Sequence, residues 1–176
     1  MRRECGFTLL ELLTTVSLLL VLVGLGVPSF IHVVRQNRAS ATANEMHAAL
    51  NYARQSAIVR NGYVVLCKSA DGQRCKHDLP DWNGGWLIFD NLNRDSAVQV
   101  NAGEPILRVQ GPYKTPARIV SNRDSFTFRP IGTNSVNGTL RYCSEDGRHD
   151  RALIVSVTGR VRSTDQPNRD TSLACP

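Results

Sequence analysis

Aromatic side chains are few: five Phe, four Tyr and two Trp in 176 residues. A protein that holds nucleic-acid bases by stacking needs a platform of them, so that class is disfavoured. Histidine is as sparse. His32, His47, His77 and His149 are scattered, and none stands at metal-ligand spacing from another. No two cysteines lie two to four residues apart, which removes the usual zinc spacing. No serine sits in a nucleophile elbow. The adjacent acids Glu145 and Asp146 precede Gly147 and read as a solvated turn. These absences leave no constellation for catalysis, so the chain is expected to be no enzyme, with no metal, cofactor or small-molecule substrate.

Charge is present but uneven. The formal net charge is +6. From Arg108 to Pro176 there are eleven basic and six acidic residues, a net of +5. Such a balance does not repel polyanions, and says no more by itself.

The N-terminus is the most informative stretch. Residues 12 to 31 carry no charge. Twenty residues at about 1.5 Å each match a hydrocarbon core of roughly 30 Å. Arg2 and Arg3 precede the run, so the N-terminus is expected on the cytoplasmic side and the rest outside. A secretory signal would also begin with positive charge, but no small-residue cleavage site follows the apolar run. Glu11 stands at its head, where a carboxylate is costly in lipid without a partner. Pro28 is expected to kink the helix, with Gly24 and Gly26 loosening it.

Beyond the apolar run, Ala39, Ala43, Met46, Leu50, Ala53 and Ala57 recur three or four apart, the stripe of an amphipathic helix. Asn61-Gly62 supplies its C-cap. One helix is therefore expected from about Phe7 to Arg60. After Gly62 the period becomes that of strands, expected at 63–67, 86–89, 106–109, 118–120, 125–128, 138–143 and 152–157. Short strands punctuated by Gly, Pro and Asn mean antiparallel sheets. Cys5 lies before the apolar run. The other four cysteines make an even set in an exported domain and favour disulfides. Three pairings exist. The favoured one is Cys67–Cys75, closing a short polar loop with Asp71-Gly72, and Cys143–Cys175, tethering the C-terminal tail.

The string Cys5-Gly6-Phe7-Thr8-Leu9-Leu10-Glu11-Leu12-Leu13 resembles the class III leader of type IV pilins and type II secretion pseudopilins. That resemblance implies removal of residues 1–6 by prepilin peptidase, cutting between Gly6 and Phe7, and N-methylation of Phe7. It implies a transmembrane and filament-core helix over 7–34. Glu11 would neutralise the buried N-terminal amine of a neighbouring subunit and so set the stagger. Residues 35–176 would form a periplasmic head, with helix over 35–60 and β structure over 63–176. The expected fold class is thus α+β, a long N-terminal helix packed on antiparallel sheets. The chain would sit in the bacterial inner membrane and leave the cell within a pilus, its partners being major and minor pilins.

The head resembles the GspH/FimT subfamily through Leu50-x-x-Ala53-Arg54-x-x-Ala57-Ile58, Trp82-Asn83-Gly84-Gly85-Trp86-Leu87-Ile88-Phe89-Asp90, Phe128-x-Pro130-x-Gly132 and Val155-Ser156-Val157-Thr158-Gly159-Arg160-Val161-Arg162. On an extended backbone Arg160 and Arg162 would share a side, about 6.5 to 7 Å apart, near the spacing of phosphates on one DNA strand. Gly159 permits a tight turn or bulge. In FimT-type minor pilins of competent bacteria a Gly-Arg-x-Arg element binds DNA during uptake, and here it is Gly159-Arg160-Val161-Arg162. Arg148, Arg151 and Arg169, with Lys114 and Arg118, would add to the field. The expected partner is double-stranded DNA, bound without sequence preference, in natural transformation. The competing reading is a structural minor pilin, or a type II secretion pseudopilin, without DNA contact. An anchored periplasmic enzyme fails for want of a catalytic constellation.

Overall fold

The computed structural model describes residues 8–95, 99–114, 117–130, 135–144, 147, 150–164 and 175. Two compact units separate at Arg38/Ala39. The first unit is helical. Helix α1 begins at Leu9 and runs unbroken, past the unit boundary, to Arg60. Its N-terminus is closed by Thr8, whose Oγ1 accepts the Glu11 N–H at 3.3 Å, half of a capping box. Thr14, Thr15 and Ser17 donate their hydroxyls to carbonyls three residues back, at 2.9 to 3.0 Å. These three hydroxyls are thus satisfied within the helix. Large apolar side chains from Leu9 to Val33 are exposed, and the segment is long and apolar enough to cross a membrane by length and composition.

In the second unit the same helix meets a core. The six residues of the expected stripe, Ala39, Ala43, Met46, Leu50, Ala53 and Ala57, are all buried. Small side chains let the helix lie close on the strands. The helix stops in a two-bond C-cap: Gly62 N–H reaches the Ala57 carbonyl at 3.1 Å and Asn61 N–H the Ile58 carbonyl at 3.2 Å. Asn61 takes the left-handed conformation (φ 50°) that this cap needs.

Eight strands follow: β1 (Tyr63–Lys68), β2 (Trp86–Asn91), β3 (Ile106–Gln110), β4 (Arg118–Ser121), β5 (Ser125–Phe128), β6 (Gly138–Cys143), β7 (Arg151–Val155) and β8 (Val161–Thr164). They form two antiparallel four-stranded sheets, in the orders β3-β2-β1-β5 and β4-β6-β7-β8. The seven expected strands are present, the last ending two residues early at Val155. β8 is additional: only Val161 among its four residues is apolar, so nothing in the period announces it. The main core gathers Ala39, Met46, Leu50, Ala53 and Ala57 of the helix stripe, Val64, Leu66, Trp86, Ile88, Phe126 and Phe128 from the first sheet, and Leu140, Leu153, Val155 and Val161 from the second. Val65, Cys67, Leu87 and Phe89 form a smaller cluster with Cys75 on the other face of the first sheet.

The segment between Trp82 and Trp86 ties the sheets together. Asn83 Oδ1 accepts the Ile119 N–H at 2.8 Å and its Nδ2 donates to the Ala117 carbonyl at 2.6 Å. Trp82 N–H donates to the Ile119 carbonyl at 2.8 Å. Gly85 has φ +103°, and a Cβ there would lie 2.3 Å from the Gln110 carbonyl oxygen. Only glycine allows β2 to start where it does.

Each sheet carries one disulfide. Cys67–Cys75 closes the loop after β1 and Cys143–Cys175 joins β6 to the C-terminal region, both with Cα atoms 5.6 Å apart. Within the first loop Asp71 Oδ1 accepts from the N–H groups of Gln73 and Arg74 at 2.9 and 3.0 Å. Those two donors hold the Asp71 carboxyl below its ordinary range.

Candidate nucleic-acid interface

β7 and β8 are joined by a tight hairpin over Ser156–Arg160. Gly159 N–H donates to the Ser156 carbonyl at 2.8 Å, and Ser156 N–H to the Arg160 carbonyl at 3.0 Å. Arg160 N–H donates to Ser156 Oγ at 3.2 Å. Gly159 has φ +72°. This is a turn followed by a left-handed bulge residue, a connection that matches the twist of its strands. A Cβ on Gly159 would lie 3.0 Å from Ser135 Oγ, 3.3 Å from the Phe128 ring and 3.5 Å from Arg54 Cδ. The glycine is thus fixed twice, by its backbone and by its neighbours.

The bulge sets the phase of β8. Val161 faces inward opposite Val155, and is buried. Arg160 and Arg162, one residue to either side, are exposed. Two guanidinium groups therefore stand on one face of the hairpin with Cα atoms about 6.5 to 7 Å apart. Among the described residues neither has an ion-pair partner. Arg162 stands opposite Ile154 on the edge strand of the second sheet. An edge arginine whose donors no described residue takes can fork onto a phosphate.

The other expected residues separate. Arg151 shares the inward face of β7 with Leu153, lines a small cavity with Thr42 and Met46, and donates to the Asp150 carbonyl at 3.1 Å. The pleat sends it to the face opposite Arg162, so it does not join the pair. Arg118 lies on β4, the far edge of that sheet, and its Nε is 3.3 Å from Asp81 Oδ2. Lys114 is exposed in the loop before it. Arg148 and Arg169 lie outside the described residues. So do Gly6 and Phe7. Glu11 is exposed in the first turn of α1. Arg54, read from the sequence only as part of a helix motif, has its side chain against Gly159. Spacing could not have shown this, since 105 positions separate the two. Among the described residues no group of His, Cys, Asp and Glu is arranged to hold a metal.

Comparison with known proteins accords with this architecture. A family model described as type II transport protein GspH matches residues 42–159. A second, the prokaryotic N-terminal methylation motif, matches residues 1–27. No curated protein matches the chain. Two crystal forms of the type IV minor pilin FimU of Pseudomonas aeruginosa PAO1 share the fold. One has 24% identity and a TM-score of 0.54, covering 72% of this chain and 87% of FimU. The other has 22% identity and a TM-score of 0.52, covering 71% and 91%.

Proposed function

Since the chain belongs to the GspH family and opens with the prokaryotic N-terminal methylation motif, we propose that it is a minor type IV pilin that binds double-stranded DNA through the β7–β8 hairpin, acting in DNA uptake for natural transformation. The observation that carries the reading is the pair Arg160 and Arg162, exposed on one face and without carboxylate partners among the described residues. In this reading the precursor waits in the inner membrane with its head in the periplasm. Prepilin peptidase cuts between Gly6 and Phe7, and Glu11 pairs with the amine of the next subunit as the protein enters the filament among other pilins.

The chemistry is that of backbone contact without base readout. Three or four phosphate contacts give a slope of log K against log salt of about −3 to −3.5 on duplex DNA. The test is a mobility-shift titration of the full chain in detergent at several salt concentrations, beside the Arg160→Ala/Arg162→Ala variant. The double variant is expected to lose affinity and to flatten the slope by about two. Lost affinity at unchanged slope would argue against direct phosphate contact. No binding at low salt, from a folded and oxidised chain, would leave the second reading. That reading is a type II secretion pseudopilin or structural minor pilin, and the description of the matching family favours it.

A further inference from the structure

A second group of arginines collects at one end of the first sheet. β2 and β5 run antiparallel to β1 on either side of it, with Tyr63 opposite Asn91 and Val64 opposite Phe128. Both flanking strands therefore finish where β1 begins. The residues just past their ends, Arg94 and Arg129, arrive over the same ring: each guanidinium carbon lies 5.3 Å from the centroid of Tyr63. Stacking on a ring uses the face of a guanidinium and leaves its N–H edge free. Among the described residues neither arginine has a carboxylate partner.

These side chains line a cleft of about 240 Å³ together with Asn91 and Thr127. Asp95 also lines it, but its carboxylate is occupied by the side-chain amides of Asn93 and Asn101, at 3.2 and 2.9 Å. The cleft keeps a net positive charge of one. Asn91 is only 2% exposed, and its Oδ1 has no donor among the described residues. Its amide cannot be turned over, because Nδ2 already donates to the carbonyl and carboxylate of Asp95, at 3.2 and 3.4 Å. That oxygen is closed off, with under 1 Å² of open surface, so the groups a ligand meets are the edges of the two guanidiniums.

We infer that this cleft is a nucleotide site: it takes one unpaired nucleotide of a nucleic acid, with the phosphate on the edges of Arg94 and Arg129 and the sugar and base in the rest of the cleft. Phosphate alone would answer the two cations and leave most of the 240 Å³ empty. Only an unpaired base can leave its stack to enter a cleft. One Tyr is no stacking platform, so the site holds a single unit rather than a run. The cleft adjoins the hairpin. Val136, another lining residue, donates its N–H to the Thr127 carbonyl at 3.0 Å, while its neighbour Ser135 donates to the Val157 carbonyl at 2.8 Å. A strand end or unpaired stretch could thus enter the cleft beside a duplex on Arg160 and Arg162. This inference extends the DNA reading but rests on different residues.

The test is an NMR titration of the full chain in detergent with thymidine tetranucleotide, following the side chains of Arg94, Arg129, Tyr63, Arg160 and Arg162. Inorganic phosphate and thymidine serve as controls. Saturable shifts at Tyr63, Arg94 and Arg129 are expected, persisting in the Arg160→Ala/Arg162→Ala variant. Arg94→Gln/Arg129→Gln, at exposed positions that leave the core intact, is expected to weaken tetranucleotide binding at least about tenfold. Shifts confined to Arg160 and Arg162 would overturn the cleft and leave the hairpin reading standing. Shifts confined to the cleft would support it, the hairpin's hold on duplex being read separately in the mobility-shift titration. An equal response to inorganic phosphate would overturn nucleotide recognition, and no response at the cleft would overturn the site.

Discussion

The two sheets treat their faces differently. The first is covered on both along its middle strands, β1 and β2: Val64 and Leu66 point to the main core, while Val65 and Cys67 point to the smaller cluster. The second buries Leu140, Leu153, Val155 and Val161 on one face and turns Thr139, Ile154 and Arg162 to the other. Strands buried on both faces offer charge beyond their ends, as at Arg94 and Arg129, and this sheet shows exposed charge along a strand at its open edge, β3, as at Arg108. A sheet with one polar face can offer it along a strand, as at Arg162.

The sharpest way to break that distinction is to truncate each face in turn. Leu66→Ala and Leu87→Ala, wholly buried on opposite faces of the first sheet, are each expected to cost about 2–5 kcal/mol. Ile154→Ala, half-buried on the polar face of the second, is expected to cost less than about 1 kcal/mol. Urea unfolding followed by tryptophan fluorescence measures all three, and a large loss at Ile154 would end the contrast.

The glycines at the two junctions give the next largest effect. Gly85→Ala drives a Cβ into backbone, 2.3 Å from the Gln110 oxygen and 2.9 Å from the Gly111 carbonyl carbon, and is expected to cost about 3 kcal/mol. At Gly159 the nearest atom is the Ser135 hydroxyl, which can move, so Gly159→Ala is expected to cost about 1–2 kcal/mol. Equal losses would mean that the hairpin is held as rigidly as the link between the sheets.

The smallest effects are those of pH. Asp71, in the loop of the first sheet, has its pKa lowered from 3.8. Its contribution to stability is present above 3.8 and lost as pH falls through the lower folded value. Asp71→Asn should therefore flatten the acid limb of a stability profile. Glu45 runs the other way: burial raises it above 4.5 against the pull of Arg108. Relative to the ionised side chain in an unfolded chain, stability is full below 4.5 and falls as pH rises through the folded value. Glu45→Gln should remove that fall. Thermal melts from pH 2 to 7 test both, and an unchanged profile in either variant would refute its assignment.

Much of this was legible in the amino-acid sequence, for physical reasons. The helix stripe is periodic, its Asn61-Gly62 stop has a chemistry of its own, and seven strands alternate or run apolar between turn residues. The Arg160/Arg162 pair was readable because two residues on a strand share a face whatever lies around them. β8 was not, since its polar residues give no period and only its pairing with β7 makes it a strand. Nor was the cluster at Tyr63, Arg94 and Arg129. Its members are 31 and 35 residues apart in sequence, and only the order β2-β1-β5 brings them to one ring. Arg151 shows the converse: nearness in sequence suggested a shared field, and the pleat sent it to the other face.

The capped end of α1 has a mechanical consequence. Two residues after the helix stops, the chain enters β1, a middle strand of its sheet. A tug on the helix is thus delivered to a strand gripped from both sides. To yield, β1 must slip past β2 and β5 together, shearing two ladders at once, where an edge strand would peel bond by bond. The helix joins the sheets at the place best able to bear a load.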